Sequence, residues 1–274
     1  MGKISDALER HKKERTVKLD HLYRAKPERL AAEDREVTYA KQFCSLHRCS
    51  PRVVALSAPD SVEAENFRIL RGQILYSRHP ESPRTVMVTS TYPGEGKTFV
   101  ACNLAVSLAL GVDQYVLAID CDLRRPSLHE VLGAPNTRGL CEFLKGKAGF
   151  EDMIVRTEIE KLSILPAGNV PSNPAELLSS NLMESFIKDI KDRYQDSYIL
   201  IDAPPIHITA EARALAQYVD GIVFVVMAQR TPRREIQKSI EVLGREKILG
   251  VVFNGYSQAR KNYHKYYDKY YKKR

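Results

Sequence analysis

Residues Thr85–Thr98 read TVMVTSTYPGEGKT, a strand, a glycine-rich turn and a helix start in fourteen residues. Thr85–Ser90 is a short, β-branched apolar run of the kind that forms a buried strand. It passes directly into a glycine-rich turn, and Thr98–Leu110 then takes on helical character. A phosphate-binding loop wants glycine, four residues, then Gly-Lys-Ser/Thr. Here Gly96, Lys97 and Thr98 match, while Thr91 stands where the first glycine would be. The physics survives that substitution. The turn Pro93, Gly94, Glu95, Gly96 and the helix start Lys97, Thr98, Phe99 can cradle phosphates with backbone N–H groups at the positive end of a helix. Lys97 would neutralise the β- and γ-phosphates of ATP, and the Thr98 hydroxyl would hold Mg²⁺.

Two more strands end in carboxylates. Tyr115–Asp120 runs into Asp120-Cys121-Asp122-Leu123-Arg124-Arg125-Pro126, and Tyr198–Asp202 runs into Asp202-Ala203-Pro204-Pro205. Alternation places Asp120 and Asp122 on one side of the chain. Ligands of open α/β sheets bind outside the carboxyl edge of the strands. Three carboxylates at two strand ends beside a phosphate loop make an Mg²⁺–nucleotide site, with Thr98, Asp120 and Asp202 as expected metal ligands and Lys97, Asp120, Asp122 and Asp202 as expected catalytic residues. Arg124 would contact phosphate or pair with a neighbouring subunit, and Asn254, at the end of the last strand, would touch adenine. Cys121 reads as a small buried residue.

Further strand-like runs lie at Leu162–Leu165, Gly221–Ala228 and Leu249–Asn254. Helical spacing appears in Ser61–Tyr76, Glu176–Tyr194, Ala210–Tyr218 and Arg233–Arg245, with Asn173-Pro174 as a helix start. Short apolar strands separated by helices predict an α/β domain: a doubly wound, mostly parallel sheet in a P-loop NTPase-like three-layer arrangement. Expected boundaries are an N-terminal helix (residues 3–15) and irregular arm over 1–51, the P-loop domain over 52–256 and a tail over 257–274.

The composition narrows the class. The 274 residues are 43% hydrophobic and 28% charged, ordinary for a globular protein. No apolar run approaches the roughly 18 residues of a membrane span. The charged amino terminus, MGKISDALERHKKER, is not a secretory leader, and five cysteines without a CxxC pair fit reduced thiols in a cytoplasm. From Arg260 onward seven Lys or Arg face one acid, a net +6, which leaves only +2 of the overall +8 for everything else. A DNA-coating protein is therefore not expected; the positive charge is a tail.

Taken together, PGEGKT, VLAIDCDLRRP and ILIDAPP resemble the Walker A, A′ and B motifs of the bacterial tyrosine kinases, autokinases that share the deviant-Walker ATPase fold with partitioning and division-site ATPases. Those ATPases usually carry a second lysine early in the loop, where this chain has Tyr92. Glu65, Arg68 and Arg71 resemble the family's ExxRxxR oligomerisation helix, and the head of the chain is similar to exosortase-associated autokinases of exopolysaccharide clusters. One departure is Ala210-Glu211-Ala212, where many relatives have Thr-Asp-Ala. The resemblance implies an ATP- and Mg²⁺-dependent tyrosine autokinase working as a ring-like homo-oligomer. It further implies a cytoplasmic enzyme, recruited to the plasma membrane and activated by a separate membrane-anchored polysaccharide chain-length regulator. Asp120 or Asp122 would orient the incoming tyrosine hydroxyl.

The tail fits that implication. Six of the chain's 14 tyrosines lie in 256–274, and the resemblance makes Tyr263, Tyr266, Tyr267, Tyr270 and Tyr271 the substrate cluster, modified in trans. A seventeen-residue coil spans about 23 Å on average, so it need not find its own site. Two other classes stay open: a positioning-type ATPase that hydrolyses nucleotide, and a non-catalytic ATP-switched scaffold.

Overall fold

A computed structural model describes residues 42–77, 83–194 and 196–256. The expected N-terminal helix and the tyrosine cluster Tyr263, Tyr266, Tyr267, Tyr270 and Tyr271 lie outside them. The described strands, in chain order, are β1 (Phe43–Cys44), β2 (Thr85–Ser90), β3 (Tyr115–Asp120), β4 (Val155–Thr157), β5 (Leu162–Leu165), β6 (Ser197–Asp202), β7 (Gly221–Met227) and β8 (Ile248–Asn254). The helices are α1 (Val54–Ser57), α2 (Val62–Leu75), α3 (Lys97–Ala109), α4 (Leu128–Leu132), α5 (Leu140–Leu144), α6 (Pro174–Leu178), α7 (Asn181–Arg193), α8 (Glu211–Tyr218) and α9 (Arg233–Leu243).

All the described strands join one sheet in the order β1-β4-β5-β3-β6-β2-β7-β8. Every pairing is parallel except β4 with β5. The phosphate-loop strand β2 lies between β6 and β7, and β3 pairs with β6 in a register that sets Asp120 opposite Asp202. The carboxyl ends of β2, β3 and β6 thus meet at one edge.

Alternation along each strand feeds two cores. Met87, Leu117, Ile119, Ile199, Ile201 and Phe224 face a cluster completed by α5, α7 and α8, including Phe143, Phe186 and Leu215. Val86, Val88, Val116, Ala118, Leu200 and Val225 face the other cluster, dominated by α3. Apart from Phe99, every residue of α3 is buried, so the helix carrying the phosphate loop is itself a core element. A helix apolar all round suits only such a buried position.

The structure adds β4, α4 and α5, for which the sequence reading had no counterpart, and departs from expectation in three further places. Phe43 and Cys44, inside the expected irregular arm, form β1, which extends the sheet beyond β4, and α1 stands just inside the expected domain start at 52, where the sequence shows no helical period; a two-residue strand is too short to show an alternating pattern. The segment read as one helix over 176–194 is two: Ser180 starts a new helix, its hydroxyl accepting the Met183 N–H at 3.2 Å. Asn173 does not cap α6 with its side chain, although Pro174 occupies the first turn as expected.

Candidate active site

The phosphate loop is formed by two left-handed glycines, Gly94 (φ +78°) and Gly96 (φ +93°), a region that glycine enters without steric cost. Gly96 is the N-cap of α3, so the first free N–H groups of a thirteen-residue helix face the loop. Pro93 and Gly94 are exposed at its crest. Glu95 is not: its buried carboxylate accepts the N–H of Tyr92 at 2.7 Å and of Met227 at 3.4 Å, and the Thr231 hydroxyl donates to it. Glu95 therefore straps the loop to the segment after β7, and only its backbone is left for a ligand. Phe99 likewise turns its ring away, edge-on to Phe67 at 5.6 Å.

Lys97 Nζ lies 2.7 Å from Asp122 Oδ2, 3.9 Å from Asp202 Oδ1 and 3.5 Å from Thr98 Oγ1, which in turn accepts the Ser127 hydroxyl at 3.1 Å. Asp120, Asp122 and Asp202 are all buried. Their oxygens are used differently. Asp120 Oδ1 accepts the N–H of Asp122, and Oδ2 accepts those of Ser127 and Leu128, so this carboxylate shapes the turn into α4. Asp122 divides its oxygens between Lys97 and the Arg125 N–H. Both Asp202 oxygens are buried without a hydrogen-bond partner.

The electrostatics follow from burial. Desolvation pushes Asp120 well above the usual carboxylate range, reinforced by the Asp202 charge and opposed by the Leu128 N–H and by Lys97. Desolvation also raises Asp202, against the Lys97 charge and the nearby Thr98 hydroxyl. Desolvation alone would lower Lys97, but Asp202 and Asp122 outweigh it and hold the ammonium charged. Burial pushes the Cys121 thiol up, as a packing residue requires.

Among the described residues no three His, Cys, Asp or Glu side chains are arranged to hold a metal ion alone. The Asp202 oxygens, free of hydrogen bonds and facing Thr98 and Lys97, nevertheless suit a hard cation whose remaining ligands are phosphate and water oxygens. Asp120, also expected as a ligand, has both oxygens engaged by backbone.

The other expected residues are placed as follows. Asn254 Nδ2 donates to the Glu95 carbonyl at 2.9 Å, which makes it a brace of the phosphate loop. Arg124 pairs through Nε with Glu211 at 2.7 Å. Glu65 and Arg68 pair with each other at 2.7 Å, while Arg71 donates to the Ser107 carbonyl of α3 at 2.7 Å. Tyr92, in the place of the positioning ATPases' lysine, packs its ring against His207 at 4.9 Å. Sequence reading missed Ser127 and the Glu211 contact. No spacing signals either, because their partners lie 29 and 87 residues away.

Comparison with known proteins agrees with this geometry. The family model described as AAA domain matches residues 84–237. The chain is 34% identical over 222 residues to the tyrosine-protein kinase YwqD of Bacillus subtilis (strain 168), covering 80% of this chain and 92% of that one. The chain belongs to the bacterial tyrosine kinases. Among solved structures, the chimerical protein CapA2B2 superposes with a TM-score of 0.70 at 30% identity, covering 79% of this chain and 95% of that one. The septum site-determining protein MinD of Pyrococcus horikoshii OT3, complexed with Mg-ADP, follows at TM-score 0.55 and 30% identity, covering 64% and 72%. Family and fold make this a nucleotide-binding P-loop domain of the kinase branch.

Proposed function

We propose that this chain is an ATP-dependent protein-tyrosine autokinase that phosphorylates Tyr263, Tyr266, Tyr267, Tyr270 and Tyr271 of a neighbouring copy. The observation that carries the reading is the Lys97–Asp122 pair, 2.7 Å apart at the start of α3, with the Asp202 oxygens buried beside it and making no hydrogen bond. Phosphoryl transfer asks mainly for positioning and charge neutralisation. The glycine turn and the N-terminus of α3 bind the nucleotide phosphates, and Lys97 turns from Asp122 to the β- and γ-phosphates. Mg²⁺ would be held by Thr98 and Asp202, and when bound it neutralises charge on the phosphates. Asp122, released by Lys97, orients the incoming phenol and accepts its proton. Asp120 keeps the turn in shape beneath it. A carboxylate is a weak base for a phenol of pKa about 10, so orientation outweighs early proton removal.

The same reading places the enzyme in the cytoplasm, in a ring-like homo-oligomer joined partly through Glu65, Arg68 and Arg71 of α2. Recruitment and activation come from a separate membrane-anchored polysaccharide chain-length regulator, and the enzyme thereby governs exopolysaccharide polymerisation and export. Nucleic acid is no partner. Five phosphates on the +6 tail add about −7.5 to −10, reversing its sign and loosening the ring.

Intact-mass analysis after incubation with Mg²⁺-ATP, with peptide mapping of residues 259–274 and a Lys97→Met control, tests the proposal. A candidate activator segment is run in parallel. Serial phosphoryl additions on the tail, absent from the control, are expected. An unmodified tail with steady phosphate release would identify a positioning ATPase instead.

A further inference from the structure

Glu211 is a buried carboxylate near the site that the reaction above leaves without a task. It opens α8, just beyond the loop that follows Asp202, and its side chain is 1% exposed. Oε1 lies 2.7 Å from Arg124 Nε, while Oε2 is buried with no hydrogen-bond partner. Arg124 is 53% exposed and stands two residues beyond Asp122, at the carboxyl edge of β3. A buried carboxylate left half-satisfied is a poor choice if all that is wanted is to anchor a helix. An apolar residue of similar volume would serve as well or better.

We infer that Glu211 is a positioning residue: by holding Arg124 through Nε it presents the two Nη groups of the guanidinium to the phosphoryl group in transit and keeps Arg124 off Asp122. This rests on the kinase reading. The charges explain the need. Among the described residues, Asp120, Asp122 and Asp202 share one cation, Lys97, so the site has an unmet demand for positive charge. An untethered Arg124, two residues from Asp122, collapses onto that carboxylate and competes with the acceptor for it. Glu211 supplies a separate, low-dielectric anchor that fixes one edge of the planar fork and leaves the other free. The residue is one methylene longer than the aspartate of the Thr-Asp-Ala pattern and reaches Arg124 from the first turn of α8.

The test compares full-length wild type, Glu211→Gln, Glu211→Asp, Arg124→Ala and the Glu211→Gln/Arg124→Ala double variant, each melted first to confirm folding. Two quantities are read: initial tail phosphorylation at saturating Mg²⁺-ATP, and affinity for a fluorescent ADP. Glu211→Gln and Arg124→Ala should each lower kcat about 10- to 100-fold, the range for a group acting on transition-state charge, with ADP affinity within about twofold. The double variant should be no slower than Arg124→Ala, and Glu211→Asp should recover at least part of the rate. Multiplicative effects in the double variant, or a Glu211→Gln enzyme with wild-type kcat, would overturn the inference while the kinase reading stands. A wild type that leaves its tail unmodified would overturn both.

Discussion

Gly96 is the residue on which the nucleotide site turns. Its φ of +93° is strained for any side chain, and a Cβ built there would lie 2.0 Å from Asn254 Nδ2. Asn254 cannot simply withdraw, because the same amide donates to the Glu95 carbonyl and so braces the loop. Gly96→Ala therefore pays twice, in backbone strain and in a broken brace. Strain of this kind amounts to about 1–3 kcal/mol at one residue, and the distorted loop also misaligns the N–H groups that face the phosphates. The expected outcome is a loss of ADP affinity of about 10- to 100-fold, from the equivalence of 1.4 kcal/mol and a factor of ten. Fluorescent-ADP titration reads it directly. The fold should persist, since Gly96 lies outside both hydrophobic clusters. Near-wild-type affinity would mean that the loop is softer than this geometry implies.

At the scale of elements, α3 ties the upstream segment to the catalytic loop. Asn103 is fully buried in the middle of α3. Its Oδ1 accepts the Ala55 N–H at 3.2 Å, and its Nδ2 donates to the carbonyls of Arg52 at 3.0 Å and Phe99 at 2.9 Å. Asn103→Ala strands the Ala55 N–H in the core cluster around α3, while the Arg52 carbonyl keeps the Val54 N–H at 2.9 Å. One orphaned buried group costs about 1–3 kcal/mol, so a loss of that size is expected. Urea unfolding should show a lower midpoint with an unchanged m-value; a shift in m would point to a compactness change instead. This tie also shows where the sequence was readable. β2, β3 and β6 were legible because each is a continuous apolar run closed by a chemically distinctive residue, and α3 because the glycine-rich turn announces it. β1 and α1 were not, for they are too short to carry a period and are held by contacts such as Asn103 with Ala55, 48 residues apart. The break between α6 and α7 was hidden for another reason: Ser179-Ser180 looks like a tolerable helix interior until the Ser180 hydroxyl is seen to cap a new start. In the site, residue identities could be read but not the division of labour. Nothing in the spacing of Asp120 and Asp122 says that the first is saturated by backbone N–H groups and the second faces Lys97.

Over the whole molecule the sheet divides two cores, and the nucleotide site lies at the edge where both meet, at the ends of β2, β3 and β6. Lys97 belongs to that junction as much as to catalysis, being, among the described residues, the single cation set beside these three buried carboxylates. Two consequences can be separated in one melting experiment. Lys97→Met breaks a buried ion pair, a change that typically costs about 3–5 kcal/mol, so the variant should melt below wild type even without nucleotide. Ligand binding, by contrast, stabilises only through its own affinity. At a hundredfold excess over Kd it adds about 2.7 kcal/mol. For domains of this size, roughly 2–4 °C accompany each kcal/mol, so Mg²⁺-ADP should raise the wild-type Tm by about 5–10 °C. Chelating the metal should cut that rise, because Thr98 and the Asp202 oxygens, free of hydrogen bonds, would then lack the cation through which they meet the nucleotide. Lys97→Met should show little rise at the same nucleotide concentration. The quantity compared is thus the ligand-induced shift, not the absolute Tm. A variant that melts low yet still gains the full wild-type shift would leave Lys97 as a prop of the carboxylate cluster and move the work of gripping phosphate to the glycine turn and the N-terminus of α3.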